Sequence, residues 1–368
     1  MAERPQVRPE IPLLNRYIPG KPIEEVVREL GIRHVVKLAS NENPIGPSPK
    51  AVQAVQSALS HLYLYPDDGQ FSLKKALSKF HQIDESYFII GNGAVEIIRM
   101  IMEAFLEPGD EVIAAAPSFA IYKQDVRQMG GKLIEIPLDE TFHYDLEKMK
   151  KEVSLKTKIV ILCSPNNPTG TIIRKKELEM FLQNCPPHVL IILDEAYSDF
   201  VEENDFPNGI QYVLNKFPII ALRTLSKVYG LAGIRVGYGI VSPEIALYLN
   251  QVRVLFNVNS LAQTAAAAAL TDQEHYQKTR ELIWKEKLFL YSEFEKLKIR
   301  YISTQSNFIL IYVGDDLECF QSLLREGVIV RPGSQLSMPG WMRITIGNHE
   351  DNLILLEALA KFLDQCKT

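Results

Sequence analysis

The most informative segment of this chain reads Thr224-Leu225-Ser226-Lys227-Val228-Tyr229-Gly230-Leu231-Ala232-Gly233-Ile234-Arg235. Upstream of it, the apolar run Val189–Leu193 ends in Asp194. A continuous apolar run predicts a buried strand, and the carboxyl ends of strands are where open α/β sheets bind ligands. The glycines and hydroxyl residues around Lys227 are typical of an anion site and not of a solvated surface. These features predict an α/β fold with a site at its strand ends.

Short apolar runs alternate with helical patterns from about residue 45 to about residue 255. We interpret the following runs as strands: Phe88–Ile90, Glu111–Ala114, Lys158–Leu162, Val189–Leu193, Ile219–Leu222 and Val236–Val241. Continuous apolar strands separated by helices predict a mainly parallel sheet that is covered by helices on both faces.

The pattern changes after about residue 262, where a long charged helix is predicted over about 271–297. Strands at Asn307–Val313, Val328–Arg331 and Trp341–Ile346 follow, with helices at about 316–326 and from Glu350. This mixture predicts a smaller α+β domain. The expected organisation is an N-terminal arm with part of the small domain at 1–44, a large domain at 45–261 and the small domain at 262–368. We expect the arm to dock on the small domain.

Composition limits the kinds of partner. The 368 residues are 46% hydrophobic and 23% charged, with a net charge of −5. The negative net charge argues against a nucleic-acid partner, which usually needs a basic face, and no apolar stretch is long enough to span a bilayer. The N-terminus lacks the apolar core of a signal peptide. The four cysteines are scattered, which predicts neither a metal site nor disulfides and favours a cytoplasmic protein.

A glycine turn follows the first predicted strand, where Gly91-Asn92-Gly93-Ala94-Val95-Glu96 leads into a helical pattern. The free N–H groups and the positive dipole end of a helix start can bind phosphate. Glu96 stands where a dinucleotide-binding fingerprint has its third glycine, which disfavours nicotinamide binding. A tight turn without a ligand is the alternative interpretation.

A second loop, Cys163-Ser164-Pro165-Asn166-Asn167-Pro168-Thr169-Gly170, follows another apolar strand. Its prolines and asparagines predict a rigid turn at the carboxyl edge of the sheet. A side-chain amide held there could donate a hydrogen bond to a phenolate oxygen on a cofactor ring. A turn without any ligand is the alternative here too.

Lys227, Asp194 and Arg235 together match the needs of pyridoxal phosphate: an amine for its aldehyde, an anion for its ring nitrogen and a cation for its phosphate. Taken singly, the lysine could be a solvated surface residue and the aspartate a helix N-cap. An imine-forming lysine must be neutral part of the time, so we expect burial or nearby positive charge to depress its pKa. Asp194 should be partly buried, because it ends an apolar strand, and would need a cationic partner.

These motifs occur together in a known family. Over nearly its whole length the chain resembles the fold-type I pyridoxal-phosphate aminotransferases, and among them the histidinol-phosphate branch. The stretches that carry the resemblance are Leu38–Pro44, Tyr65–Asp67, Cys163–Gly170, Asp194–Tyr197, Arg223–Gly233, Phe256–Ser260, Val328–Pro332 and Met342–Thr345. The segment around Lys227 is specific to the superfamily, whereas the stretches at 39–44 and 256–260 are more specific to the branch.

The resemblance implies roles for the cofactor-binding residues. Lys227 would hold the aldehyde and later move a proton between the substrate Cα and the cofactor, while Asp194 would pair with the ring nitrogen. Asn167 and Tyr197 would contact the ring oxygen, and Phe119 would stack on the ring. The residues around the phosphate would be Gly93, Ala94, Thr224, Ser226, Arg235 and, from the second subunit of a homodimer, Tyr65.

The resemblance also implies a substrate site in which Arg343 binds the anionic end. The residues expected nearby are Tyr17, Asn43, Asn307 and Arg331. The sequence departs from the family pattern at Ala94-Val95, where relatives often carry an acidic or hydroxyl residue, at Ile45, and at Val254-Leu255, where a proline pair is usual. The last two departures are expected near the substrate entrance.

The activity implied by the resemblance is transamination of L-histidinol phosphate with 2-oxoglutarate, which gives imidazole-acetol phosphate and L-glutamate in histidine biosynthesis. The amino donor and acceptor both end in an anion, so one mobile arginine such as Arg343 could serve both. The alternatives are an aromatic amino-acid aminotransferase, an enzyme that decarboxylates or eliminates with the same cofactor, and a non-catalytic protein that has kept the fold.

Overall fold

The computed structural model describes residues 6–14, 20–32 and 34–365. Its strands are β1 (Val36–Lys37), β2 (Phe88–Gly91), β3 (Glu111–Ala116), β4 (Lys132–Pro137), β5 (Thr157–Cys163), β6 (Leu190–Asp194), β7 (Ile219–Thr224), β8 (Gly237–Ile240), β9 (Tyr301–Ile302), β10 (Phe308–Tyr312), β11 (Val328–Ile329), β12 (Arg331–Pro332) and β13 (Trp341–Thr345). Its α-helices are α1 (Ile23–Leu30), α2 (Pro49–Ala58), α3 (Phe71–His81), α4 (Ala94–Phe105), α5 (Ile121–Gln128), α6 (Leu146–Lys151), α7 (Lys175–Asn184), α8 (Gly209–Leu214), α9 (Pro243–Val252), α10 (Ser260–Ala269), α11 (Gln273–Lys296), α12 (Asp316–Arg325) and α13 (His349–Gln365).

The largest sheet has seven strands in the order β2-β8-β7-β6-β5-β3-β4. The pairs from β4 to β7 are parallel, whereas β8 is antiparallel to both β7 and β2. The strands predicted between residues 88 and 241 all lie in this sheet, and the sheet is mainly parallel, as predicted. Asp194 pairs in register with Cys163 and Leu222, so the carboxyl ends of β5, β6 and β7 meet along one edge.

The central strands are apolar throughout because both faces of the sheet are covered. In β6, Ile191 and Leu193 pack into one hydrophobic cluster, and Leu190 and Ile192 pack into a second. Fully burying such a side chain contributes roughly 1.5–3 kcal/mol. The strands that carry the site are therefore anchored by apolar packing on two sides, which fixes the position of their last residues.

The edge strand β4 was not predicted from the sequence. Lys132 and Glu135 interrupt its apolar residues, and most of its residues are partly or fully exposed. It is the last strand in the order, next to β3. An edge strand faces solvent along one side, so it does not need the continuous apolar run on which the strand predictions rested.

The C-terminal part contains a smaller antiparallel sheet in the order β12-β13-β10-β9. The strand predicted at Val328–Arg331 is divided in two, since β11 pairs with β1 and β12 pairs with β13. Together with α11, α12 and α13 these strands form a smaller α+β part. The predicted fold class is confirmed.

The N-terminal segments contact both parts of the molecule. β1 pairs in parallel with β11, and Val26 of α1 packs with Leu324 and Ile329. Nearer the N-terminus, Arg8 Nη2 donates to the carbonyl oxygen of Gln128 in α5 at 3.0 Å. The domain boundaries near residues 45 and 262 remain predictions. Within residues 6–14, 20–32 and 34–365, no helix has the length and apolar character needed to cross a membrane.

Candidate active site

A cavity of about 290 Å³ lies at the carboxyl ends of β5, β6 and β7. The predicted site residues that line it are Ala94, Phe119, Asn167, Asp194, Tyr197, Thr224, Ser226, Lys227, Arg235, Arg331 and Arg343. They come from stretches that are far apart in the sequence, and the parallel sheet brings them to one place. The lining therefore contains an amine, a buried acid and several guanidinium groups together.

Lys227 lies in the loop after β7, with its side chain in the cavity. Its Nζ donates to the Ser40 carbonyl oxygen at 3.1 Å and lies 5.6 Å from the centre of the Tyr197 ring. Burial lowers the pKa of Lys227 to about 7, and the positive charges of Arg343 and Arg235 contribute in the same direction. A substantial fraction of this amine is therefore neutral near pH 7, which is the condition for attack on an aldehyde.

Asp194 is the last residue of β6 and is buried. Its Oδ2 accepts a hydrogen bond from the Tyr122 hydroxyl at 2.7 Å, and its Oδ1 accepts one from the Ala196 N–H at 3.1 Å. Burial raises the pKa of Asp194, while these two donors lower it. A carboxylate can accept about four hydrogen bonds, so Asp194 keeps the capacity to pair with a cationic group in the cavity.

The start of α4 and the loop after β7 form an anion-binding wall. Gly93 caps α4 with a φ of 80°, and a Cβ at this position would overlap Arg235 Nη2. Arg235 Nη1 donates to the Ala232 carbonyl oxygen at 3.1 Å, and the Ser226 N–H donates to Thr224 Oγ1 at 3.1 Å. A helix N-terminus, a guanidinium and hydroxyl groups in one place match the requirements of a phosphate.

The two asparagines of the loop after β5 have different surroundings. Asn166 Nδ2 donates to the Pro117 carbonyl oxygen at 3.2 Å and to Thr169 Oγ1 at 3.0 Å, which holds the loop together. Asn167 lines the cavity instead, and its Oδ1 accepts a hydrogen bond from Arg343 Nη1 at 2.7 Å. The structure thus places Asn167, and not its neighbour, among the cavity-lining residues.

Tyr197 and Phe119 supply aromatic rings to the cavity. The Tyr197 hydroxyl accepts a hydrogen bond from Asn41 Nδ2 at 2.9 Å, and burial raises the pKa of Tyr197 to about 12. This phenol is therefore neutral at physiological pH and can donate its own proton to an oxygen in the cavity. The Phe119 ring meets Tyr122 edge-on, with 5.6 Å between ring centres.

Arg331 and Arg343 lie side by side because β12 and β13 pair them in register. Arg343 Nη2 donates to the Ala39 carbonyl oxygen at 2.7 Å, and its guanidinium carbon lies 5.4 Å from the Phe308 ring centre. Both arginines also line an adjoining cavity of about 440 Å³. Two guanidinium groups where the cavities meet suit the anionic end of a substrate.

Two predicted substrate residues lie outside the cavity lining. Asn43 Nδ2 donates to the Val228 carbonyl oxygen at 2.8 Å and to Thr279 Oγ1 at 3.2 Å, which ties its loop to α11. Asn307 is fully buried, and its Nδ2 donates to the Asn41 carbonyl oxygen at 3.0 Å. Both side chains support the walls of the site in this structure.

Tyr65 also lies away from the cavity of its own chain. It is 83% exposed and stacks on Phe256 with 4.9 Å between ring centres. Val254 and Leu255, two of the residues that depart from the family pattern, are exposed next to this pair. Tyr17 lies outside the described residues.

The remaining departures from the family pattern are Ala94-Val95, at the start of α4, and Ile45, in the turn before α2. Ala94 and Val95 both line the cavity, so the absent acidic or hydroxyl group would have faced it. The Ile45 N–H donates to Asn43 Oδ1 at 3.0 Å, within the turn that precedes α2.

Asn41 has a position that the sequence did not reveal. It is buried with a left-handed φ of 56°, which asparagine tolerates better than most residues. Besides contacting Tyr197, its Oδ1 accepts a hydrogen bond from Thr345 Oγ1 at 3.3 Å. Asn41 thus connects β13 to the phenol in the cavity. The motif at 39–44 pointed to this stretch, but no local pattern identified the contact with Tyr197.

Comparison with known proteins agrees with this geometry. The family model described as aminotransferase class I and II matches residues 33–359, and the chain belongs to this family. The histidinol-phosphate aminotransferase of Moorella thermoacetica is 47% identical over 365 residues, covering 99% of this chain and 94% of the relative. That of Caldicellulosiruptor saccharolyticus is 44% identical over 357 residues, covering 97% and 99%.

Solved structures share the fold. The crystal structure of histidinol-phosphate aminotransferase from Sinorhizobium meliloti in complex with pyridoxal-5'-phosphate has a TM-score of 0.88 to this chain. The two chains are 23% identical, and the match covers 99% of each. This likeness concerns the arrangement of the chain, and the roles of individual site residues remain predictions.

Proposed function

We propose that this chain is a pyridoxal-phosphate-dependent aminotransferase that converts L-histidinol phosphate and 2-oxoglutarate into imidazole-acetol phosphate and L-glutamate. The observation that carries the proposal is the presence of Lys227, Asp194 and Arg235 in one cavity, with Arg343 beside Asn167 in its wall. The names of the two relatives described above support this choice of substrate.

The residues present fit pyridoxal phosphate. Asp194 is a buried acid with a raised pKa, so a cationic ring nitrogen beside it would be favourable. The start of α4 and Arg235 offer N–H groups and positive charge for the phosphate. Ile98 and Phe119 supply apolar surface for the ring. When bound, the cofactor supplies an aldehyde that takes the amino group and a ring that draws electrons from the reacting carbon.

The chain itself would bind, orient and move protons. The Lys227 amine is partly neutral near pH 7, so its Nζ can accept the proton from the substrate Cα and would deliver it to the cofactor carbon that takes the amino group. Asp194 would hold the proton on the ring nitrogen. The Tyr197 hydroxyl would donate to the ring oxygen while Asn41 donates to Tyr197.

Arg343 would bind the anionic end of both substrates. A guanidinium binds a carboxylate or a phosphate with two parallel hydrogen bonds, and each charge-assisted bond contributes roughly 1.5–3 kcal/mol. Arg331, its register partner on β12, would add a second positive charge for the phosphate. One pair of arginines can thus serve glutamate and histidinol phosphate in turn.

A test compares kcat/KM for L-histidinol phosphate and L-phenylalanine with 2-oxoglutarate as the acceptor. We expect histidinol phosphate to be preferred by about 100-fold, the size that one good phosphate contact supplies. The Lys227→Ala variant serves as the control. It should lose the visible absorbance of the bound cofactor, and its turnover number should fall by about 10²–10⁴-fold or more. Equal or better use of phenylalanine would contradict the proposed substrate.

An aromatic amino-acid aminotransferase is the second candidate. The adjoining cavity is lined by the apolar side chains of Leu133, Leu336 and Phe119, and it shares Arg343 with the inner cavity. A phenyl ring and a carboxylate could occupy these two regions. The same kinetic comparison separates the candidates.

The proposal includes a homodimer with shared active sites. Exposed apolar side chains cluster on one surface, which we call the Tyr65 surface: Leu62, Tyr63, Leu64, Tyr65, Val254, Leu255 and Phe256. Its two segments are joined by the ion pair of Arg253 with Asp68 at 2.8 Å. A contiguous apolar patch of this kind suits a protein interface. Tyr65 would extend from it to the cofactor phosphate of the partner subunit, and the cytoplasm is the proposed location.

A further inference from the structure

Tyr122 contacts the buried acid of the site. It lies near the start of α5 and is buried. Its hydroxyl donates to Asp194 Oδ2 at 2.7 Å. Its side chain packs in the same hydrophobic cluster as Ile161 and Ile192 of the large sheet, and it also lines the adjoining cavity of about 440 Å³. The roles assigned above to the cofactor-binding residues leave this contact unexplained.

The direction of this hydrogen bond is fixed. Burial and the charge of Asp194 raise the pKa of Tyr122 well above its ordinary value, so the phenol keeps its proton and donates it. The Ala196 N–H occupies the other carboxylate oxygen. Among the groups that oppose the burial-induced rise in the pKa of Asp194, Tyr122 contributes most.

We propose that Tyr122 is a positioning residue that keeps the proton on the ring nitrogen of the cofactor. The inference rests on the proposed function, because it requires pyridoxal phosphate with its nitrogen at Asp194. A carboxylate that accepts a hydrogen bond from a phenol is a weaker base than one that does not. Asp194 is then less able to take the nitrogen proton, and the ring stays cationic. Without the phenol, the proton would move toward the carboxylate and the ring would draw electrons less strongly.

Tyr238 provides a matched control. It is a buried tyrosine in β8, and its hydroxyl is hydrogen-bonded to His81 Nε2 at 2.9 Å. Tyr238→Phe and Tyr122→Phe each remove one buried hydroxyl, and the two tyrosines pack in the hydrophobic clusters on opposite faces of the large sheet. Only Tyr122→Phe removes a donor from Asp194. If these buried hydroxyls had only a structural role, both variants would lose stability. Neither variant would then change the protonation of the ring nitrogen.

The experiment measures the protonation of the ring nitrogen directly. Wild type, Tyr122→Phe and Tyr238→Phe are loaded with pyridoxal phosphate labelled with ¹⁵N in the ring, and the nitrogen chemical shift is recorded. We expect the Tyr122→Phe signal to move toward that of a neutral pyridine. In the same variant kcat should fall by about tenfold, the size of one charge-assisted hydrogen bond, with KM changed by less than about twofold. Tyr238→Phe should match the wild type in both measurements.

A second variant keeps the test decisive if Tyr122→Phe does not fold. Replacing Tyr122 with 4-aminophenylalanine retains the shape and supplies a weaker donor, so the nitrogen signal should lie between those of wild type and neutral pyridine. A nitrogen signal identical to wild type in whichever of the two variants folds would overturn the inference. Wild-type protein that binds no labelled cofactor would instead refute the proposed function.

Discussion

Lys227 illustrates how packing changes the chemistry of one side chain. An exposed lysine has a pKa near 10.4 and is almost fully protonated at neutral pH. In this structure, burial and the nearby Arg343 lower the pKa of Lys227 to about 7. Its neutral form is therefore present above pH 7 and is lost as the pH falls below 7. The reactive amine results from its surroundings and not from any property of lysine itself.

The first prediction concerns the pH dependence of this amine. Cofactor-free protein should capture pyridoxal phosphate with a rate that rises between about pH 6 and pH 8 and then levels off, since most of the amine is neutral above pH 8. Ordinary lysines would keep gaining reactivity up to about pH 10. Borohydride trapping at a series of pH values, followed by peptide mapping, measures the rate at Lys227.

Arg343→Gln is the matched variant for this measurement. After burial, the positive charge of Arg343 lowers the pKa of Lys227 most. Removing it should therefore move the midpoint of the pH–rate curve for capture at Lys227 to higher pH. An unchanged midpoint in this variant, or a wild-type rate still rising at pH 10, would contradict the assigned electrostatics.

At the scale of secondary structure, the start of α4 determines where a phosphate can bind. Gly93 adopts a φ of 80°, which L-residues with a side chain rarely adopt, and the Arg235 guanidinium lies against this turn at the start of α4. The glycine turn and the helix pattern after Gly91 predicted a helix start that could bind phosphate. The close approach of Arg235 to the Gly93 backbone depends on the pairing of β2 with β8, which the sequence did not reveal.

The second prediction follows from this approach. Gly93→Ala should raise the dissociation constant for pyridoxal phosphate by about tenfold or more, because the added methyl group would displace Arg235. Thermal unfolding should also report a loss of roughly 1–3 kcal/mol, because Gly93 combines a φ of 80° with a ψ of 163°, a conformation that is accessible almost only to glycine. Absorbance titration with the cofactor measures the first effect.

Gly109→Ala separates the two effects. Gly109 has a φ of +93°, and a Cβ there would meet no atom within 4 Å. This variant should also lose stability but bind the cofactor as the wild type does. Equal weakening of cofactor binding in both variants would argue against the role of Arg235 in holding the phosphate.

At the scale of the whole molecule, the Tyr65 surface indicates how two chains would associate. Its aromatic and aliphatic side chains are exposed on the single chain, and Tyr65 stacks on Phe256 there. A symmetric dimer would bury the same patch of both subunits. In the proposed assembly each active site takes Lys227 from one chain and Tyr65 from the other.

The third prediction tests this sharing by mixing two inactive variants. A chain with Lys227→Ala and a chain with Tyr65→Ala should each form poorly active dimers, whereas refolding them together should restore about a quarter of the wild-type activity. The reason is that random pairing makes half of the dimers mixed, and each mixed dimer has one intact site. Analytical ultracentrifugation checks that both variants remain dimeric.

A further mixture provides the control. Combining Lys227→Ala with a chain that carries both Lys227→Ala and Tyr65→Ala should restore nothing, since no intact Lys227 is present. No recovery in the first mixture, with dimers confirmed, would mean that Tyr65 does not act across the interface.

Most of the large sheet could be predicted from the sequence, because its central strands are buried on both faces and therefore apolar throughout. The edge strand β4 lacks this pattern and was missed. Asp194 was identified because it ends an apolar strand, and Lys227 because glycine and hydroxyl residues surround it. Arg235 was identified because it lies eight positions after Lys227 in the same segment. Their meeting in one cavity follows from the parallel order of β5, β6 and β7, since parallel strands share a carboxyl edge.

The sequence by itself therefore determined the class of fold, the strands that carry the site and the kinds of chemical group available to it. Tertiary packing alone decided which groups touch. Tyr122 and Asp194 are 72 residues apart in the chain, and Asn41 and Tyr197 are 156 apart, yet each pair is hydrogen-bonded. Burial also set the depressed pKa of Lys227. Local patterns report which face of an element is buried, whereas contacts and desolvation depend on how distant elements pack together.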